Sequence, residues 1–219
     1  MDGKATVKMG AFSRGGPTRG DHRASDHDLG CKEKYIPCGI VDADTAHLYV
    51  TFGSSSKTSD CIVATLAAWW QGLSAKEPGE IDRVQITMDN GSASSGVRTP
   101  CLQRMVQCVD TIGQPIQLLY DPPYHSQYNP IERCWGMRAL PWHGAQLIDA
   151  ETRLEWAKRM TWKGLHPVVE LSRKVSNTGV SLSKAAMRAV AARLERHPLL
   201  PKWDILIHPA STDEVGYSF

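Results

Sequence analysis

The stretch Pro122-Pro123-Tyr124-His125-Ser126-Gln127-Tyr128-Asn129-Pro130-Ile131-Glu132-Arg133-Cys134-Trp135-Gly136 decides how this chain is read. Its first half is crowded with Pro, Tyr and Ser and carries no apolar period, so it is a loop. Its second half begins a helix. Asn129 is a good N-cap, and Pro130 suits the first helical position because a backbone N–H there has no intrahelical partner to lose. Glu132 then falls in the first turn. Pro141 would cost about 3 kcal/mol inside a helix, so this helix is expected to stop near Leu140.

The segments upstream alternate in type. Pro115–Tyr120 is a strand, broken by Asp121-Pro122-Pro123. Before it, Thr99-Pro100 opens a helix with Leu102, Met105, Val106, Val109 and Ile112 as its apolar stripe and Gly113 behind it. Asp82–Met88 is a strand that runs into Asp89-Asn90-Gly91. Thr58 and Ser59 cap a helix whose buried face is Ile62, Val63, Leu66, Ala67 and Trp70, closed by Gly72. Tyr35–Val41 and Ala46–Phe52 flank the turn Asp42-Ala43-Asp44-Thr45 and form a hairpin. Residues 2–9 alternate as a first strand, and 13–34 read as a long polar loop or as two extended edges around a turn. Beyond residue 146 helices are expected at 151–161, 167–176 and 182–196, with Trp203–Ile207 extended.

An antiparallel start followed by two crossover strands is the layout of an α/β, ribonuclease H-like mixed sheet flanked by helices, here with a helical C-terminal extension. The expected division is a catalytic core over 1–145 and an extension over 146–219 packed on it. In such sheets, sites form at the carboxyl ends of strands. Three acids fall at suitable places: Asp2 on the first strand, Asp89 at the end of a later strand, and Glu132 at a helix start. Each has an ordinary reading too. Asp89-Asn90-Gly91 is a common turn, Glu132 occupies a capping-box position, and Asp2 is a terminal residue. Gathered together, they would offer hard oxygen ligands suited to Mg²⁺ or Mn²⁺.

The loop through Asn129-Pro130-Ile131-Glu132 resembles the signature of DDE-superfamily insertion-sequence transposases, in which Asn-Pro-Ile-Glu leads into the helix bearing the catalytic glutamate. Asp2-Gly3-Lys4-Ala5-Thr6-Val7-Lys8 with Phe12-Ser13-Arg14-Gly15-Gly16 looks like the first-aspartate segment of the ISAzo-type family. Met88-Asp89-Asn90-Gly91 with Ser94-Ser95-Gly96-Val97-Arg98-Thr99 looks like its second, and 42 residues separate Asp89 from Glu132. The resemblance runs from Asp2 to about Pro209. It implies that Asp2, Asp89 and Glu132 converge as catalytic, metal-binding carboxylates for two Mg²⁺ or Mn²⁺ ions. It also implies DNA, both transposon ends and target, as the partner of a homo-oligomeric active complex.

Weaker signals surround this set. His125, Arg133, Lys184 and Arg188 are candidate DNA contacts, although an ordinary loop histidine and a solvated helix face are the default readings of His125 and of the helix cations. Arg193 and Arg196 continue the basic face of the last helix. His22, His27, Cys31 and Cys38 have a spacing that matches no paired zinc hooks. The six cysteines show no tight disulfide framework and read as reduced thiols in or near the core. Trp69, Trp70, Trp135, Trp156 and Trp162 read mostly as core.

Composition sets the limits. A chain of 219 residues with 22% charged residues is globular, and no run approaches a membrane span, so a cytoplasmic location is expected. A net charge of +2 neither demands nor excludes nucleic acid. No helix-turn-helix pattern precedes Asp2, so DNA binding is expected to be phosphate-driven and salt-sensitive. Competing readings are a host ribonuclease H-type nuclease, against which the Asn-Pro-Ile-Glu loop argues, and a remnant that at most binds DNA or other transposase copies.

Asp2 stands at the second position of the chain, so its strand is expected to be short and its carboxylate poorly held, leaving this chain catalytically weak. Adding an apolar strand of about five residues ahead of Asp2 is expected to raise metal affinity and nicking. Equal values with and without it would show that Asp2 is already held.

Overall fold

The computed structural model describes residues 1–3, 7–8, 34–53, 59–73, 81–89, 95–122, 129–135, 150–173 and 182–210. These form two compact units, interleaved in sequence. One comprises Met1–Thr65 with Gln127–Ser176, and the other Leu66–Ser126 with Asn177–Phe219.

In the first unit, β3 (Lys34–Val41) and β4 (Leu48–Gly53) form the expected hairpin, in register from Ile36↔Gly53 to Val41↔Leu48. Its turn is held by one side chain. Asp42 Oδ1 accepts the N–H groups of Asp44 at 2.9 Å and Thr45 at 3.0 Å, the role for which aspartate is favoured in turns. β1 (Asp2–Gly3) and β2 (Val7–Lys8) both run antiparallel to β3, through Asp2↔Gly39, Gly3↔Cys38, Val7↔Tyr35 and Lys8↔Lys34. The strand expected over 2–9 is thus present as two short ladders among the described residues.

The outer edge of β4 carries β7 (Val168–Ser172), paired parallel through Tyr49↔Val168 to Gly53↔Ser172. A helix was expected over 167–176, and this is a correction. Val168 and Val169 are β-branched, so they favour extended backbone. The deciding factor is the row of backbone groups that β4 offers on that side. The core of the unit gathers Tyr35, Leu48, Val50 and Phe52 from the hairpin, Ile131, Cys134 and Trp135 from helix α3 (130–135), Ala157 from α4 (Ala150–Lys158), and Trp162. Cys38 of β3 and Cys61 of α1 (Ser59–Gly72) are both buried, with their sulfurs 2.7 Å apart.

In the second unit, β5 (Val84–Met88) and β6 (Ile116–Tyr120) pair parallel from Val84↔Ile116 to Met88↔Tyr120. The intervening α2 (Thr99–Ile112) supplies the crossover, and parallel neighbours need such a connection. Its stripe is buried as the periodicity requires: Leu102, Met105, Val106, Val109 and Ile112, joined by Cys101 and Cys108. β9 (Asp204–Ile207) pairs antiparallel to β6, and β8 (Leu194–Arg196) to β9. The helix expected over 182–196 is therefore shorter. α5 (Lys184–Ala192) is capped by the Ser183 hydroxyl, and the chain turns into β8 once β9 offers a partner. The C-terminal segment is mixed rather than helical, because both sheets draw strands from it.

The ladders among the described residues thus make two mixed sheets, β1-β3-β4-β7 with β2 on β3, and β5-β6-β9-β8, in an α/β chain. Of the polar loop expected over 13–34, residues 13–33 lie outside the described set, as do those from 136 to 149 where the helix stop was expected, while Lys34 begins β3.

Gly113 ends α2 in the left-handed conformation, with φ of 75° and its N–H bonded to the Val109 carbonyl at 2.8 Å. A Cβ there would meet nothing within 4 Å, so the cost of Gly113→Ala is purely conformational. It is expected to be about 1 kcal/mol in urea unfolding, with Gly113→Asn costing less.

Candidate active site

Glu132 lies on α3, and the sequence around it explains how that turn is held. Asn129 is buried, and a buried amide needs partners. Its Oδ1 accepts the Ile131 N–H at 3.4 Å, and its backbone carbonyl accepts the Glu132 N–H at 3.0 Å. Its Nδ2 reaches the carbonyl of Met1 at 3.5 Å, the long limit of a hydrogen bond. One side chain therefore caps the Glu132 helix and touches the peptide group immediately before Asp2. Ile131 and Trp135 on the same helix are fully buried in the hairpin core, while Glu132 between them is half-buried. Asp2 itself is described through its backbone, opposite Gly39. Asp2 and Glu132 belong to one compact unit.

Asp89 belongs to the other unit. It follows the last residue of β5, at the carboxyl end of the parallel pair, and is half-buried. Asp121 ends β6 in the same way, its N–H bonded to the Met88 carbonyl at 3.0 Å. The sequence reading missed Asp121, although Tyr120-Asp121 repeats the apolar-then-acidic strand end of Met88-Asp89. Between them sits Tyr120. Burial first of all, with the Asp89 charge adding, drives its phenol far above the usual tyrosine range; Arg196 pulls the other way. Among the described residues its hydroxyl is buried without a hydrogen-bond partner. The segment leading into α2 is clamped by Arg196, which donates to the Gly96 carbonyl at 3.0 Å and to that of Pro201 at 2.6 Å.

A family model described as the Rhodopirellula transposase DDE domain matches residues 1–209 of this chain. The chain belongs to the DDE transposases. No curated protein and no solved structure matches it. DDE transposases act on DNA and generally use divalent metal ions. Among the described residues, no group of three or more His, Cys, Asp or Glu side chains is gathered as a metal cage. Nor is any helix among them long and apolar enough to cross a membrane.

The remaining expected residues of this transposase domain divide by environment. Arg133, Lys184 and Arg188 are exposed. Arg193 and Arg196 are not on the helix face assigned to them. Arg193 caps α5, pairs with Asp110 and donates to the His208 carbonyl at 2.9 Å, and Arg196 lies in β8. Both serve the fold. His125 lies outside the described residues, as do His22, His27 and Cys31, while Cys38 is buried against Cys61. Trp135 and Trp162 are core, and Trp156 packs against it. Trp69 and Trp70 are half-buried, with ring centroids 6.0 Å apart.

Cys134, two residues beyond Glu132, is buried. Burial pushes its thiol up to about 12, against smaller opposing pulls from a backbone hydrogen bond, the chain's amino terminus and Lys163, and its sulfur lies 3.5 Å from the Pro130 carbonyl. An unfolded cysteine loses its proton near pH ~8.5. Between that value and the native one the folded state holds more protons, so this group's contribution to stability is complete below about pH 8.5 and declines as pH rises above it. Iodoacetamide at pH 8.5 is expected to leave Cys134 unmodified in the native protein and to label it in urea, as read by peptide mass mapping.

Proposed function

We propose that this chain is the catalytic core of a DDE transposase, cleaving DNA at transposon ends and joining it to a target, with Asp2, Asp89 and Glu132 as its catalytic and metal-binding carboxylates. The observation that carries the reading is the Asn129 side chain, which caps the Glu132 helix and reaches the Met1 carbonyl beside Asp2. A motif that in sequence marks one acid is thereby in contact with the segment that carries another. The donor set fits Mg²⁺ or Mn²⁺, since all three ligands are hard carboxylate oxygens. When bound, a pair of such ions supplies activation of the attacking oxygen and stabilisation of the leaving one.

The chain's own residues have definable parts in this. Asn129 sets where α3 begins and so which way Glu132 faces. Ile131 and Trp135 hold that helix on the hairpin. Asp89 follows the end of β5, whose pairing with β6 limits its travel. Arg133, Lys184 and Arg188 remain proposed phosphate contacts, as does His125.

The wider arrangement we propose is ribonuclease H-like. The antiparallel order β4-β3-β1 in one sheet and the parallel pair β5-β6 in the other support that reading by their strand directions. Residues 1–145 would carry the catalytic core, and 146–219 would add strands to its sheets. Because its substrate is genomic DNA, the protein would act in the cytoplasm, as a homo-oligomer that brings two transposon ends together.

The test is nicking of a plasmid that carries the element's ends. Activity is expected to require Mg²⁺ or Mn²⁺. Asp89→Asn keeps the shape and removes the charge, and should lower the rate by more than about a hundredfold, beyond the 10–100-fold typical of a lost outer-shell partner. Undiminished cleavage by that variant would sink the assignment.

A further inference from the structure

Gly39 lies in the middle of β3, a place where glycine weakens a strand and often marks a close approach of another element. That element is the Glu132 helix. A Cβ on Gly39 would stand 2.8 Å from Ile131 Cδ1 and 2.9 Å from both Cζ2 and Cη2 of Trp135. Ile131 is 0% exposed and Trp135 2%, so neither can swing aside into solvent. Ordinary carbon contacts lie at roughly 3.5–4.0 Å, so a methyl group here would lift the helix by roughly 0.7–1 Å. Metal ligands tolerate displacement of only about 0.5 Å. Gly39 is also the residue paired with Asp2 across the β1–β3 ladder.

The geometry points to Gly39 as a positioning residue for Glu132: the absence of a side chain at the register position of Asp2 sets how closely the glutamate-bearing helix approaches the aspartate-bearing strand. Asn129 adds the second constraint, holding the start of the same helix against Met1. Ile131 and Trp135 flank Glu132 in sequence and press into the gap over Gly39, so a displacement felt by them is passed to the carboxylate through one rigid helical turn. This inference rests on the three-carboxylate reading above, and its test separates the two.

The test measures Mn²⁺ affinity of the full chain by the paramagnetic resonance of free Mn²⁺, with the unfolding midpoint recorded for each variant. Glu132→Gln is expected to weaken binding. If it does not, the three-carboxylate reading falls and takes this inference with it. Gly39→Ala is expected to weaken binding by about tenfold, at the lower end of what supporting residues contribute. Combined with Glu132→Gln it should add little further loss, because the contribution it disturbs is already gone. A purely structural role would instead multiply the two losses. Ile131→Val with Trp135→Phe removes the three facing carbon atoms and should restore affinity in the Gly39→Ala background. Asn129→Ala leaves the gap open and carries the same double-variant test if Gly39→Ala does not fold. Wild-type affinity in both Gly39→Ala and Asn129→Ala, or full multiplicativity with Glu132→Gln in the folded variants, would overturn the proposal.

Discussion

The close seating of α3 on the hairpin governs the first unit. Ile131 and Trp135 bury themselves over Gly39, among Tyr35, Leu48, Val50 and Phe52. Apolar burial supplies the attraction, roughly 1.5–3 kcal/mol for a large side chain, and close packing supplies the directionality. The placement of α3 comes from Ile131, Cys134 and Trp135, which it buries, and from Asn129 at its start. Glu132 inherits that placement without itself being part of the core.

Asn129 has a double duty that an asparagine side chain suits. A buried aspartate would carry a charge at steep desolvation cost, and a serine could not span both partners. The amide offers an acceptor to the helix N-terminus and a donor to the Met1 carbonyl. Pro130 beside it imposes no competing donor. The second unit uses a different device for its acids, which end two parallel strands and are stepped by the ladder between Met88 and Tyr120. There, the neighbouring Tyr120 is buried, which raises its phenol far above the usual tyrosine range.

Where local chemistry and tertiary demand agreed, the chain was legible. The α2 stripe, its opening proline and closing glycine, the Asp42 turn and the strand that ends at Asp89 were all read correctly, because each is written in residues within a turn or two of one another. The helix start before Glu132 was legible for the same reason. β7 and β8 were not. Val168–Ser172 carries both β-branched and charged residues, and a single segment of that kind satisfies either conformation. It becomes a strand because β4, more than a hundred residues earlier in the chain, has an edge to fill. Arg193 and Arg196 were likewise misread as one helix face, since nothing local says that Asp110 and Gly96 stand ready to receive them.

The sequence by itself determined the family, the candidate acids and the local form of the segments that carry them, because those depend on residue identity and short-range spacing. Only the tertiary structure decided that Gly39 faces the glutamate helix, that Asn129 reaches the residue before Asp2, and that both sheets recruit C-terminal strands. Each of these is a contact between segments far apart in the chain. A glycine in a strand or an asparagine before a proline has several uses, and which one it serves depends on what folding brings against it.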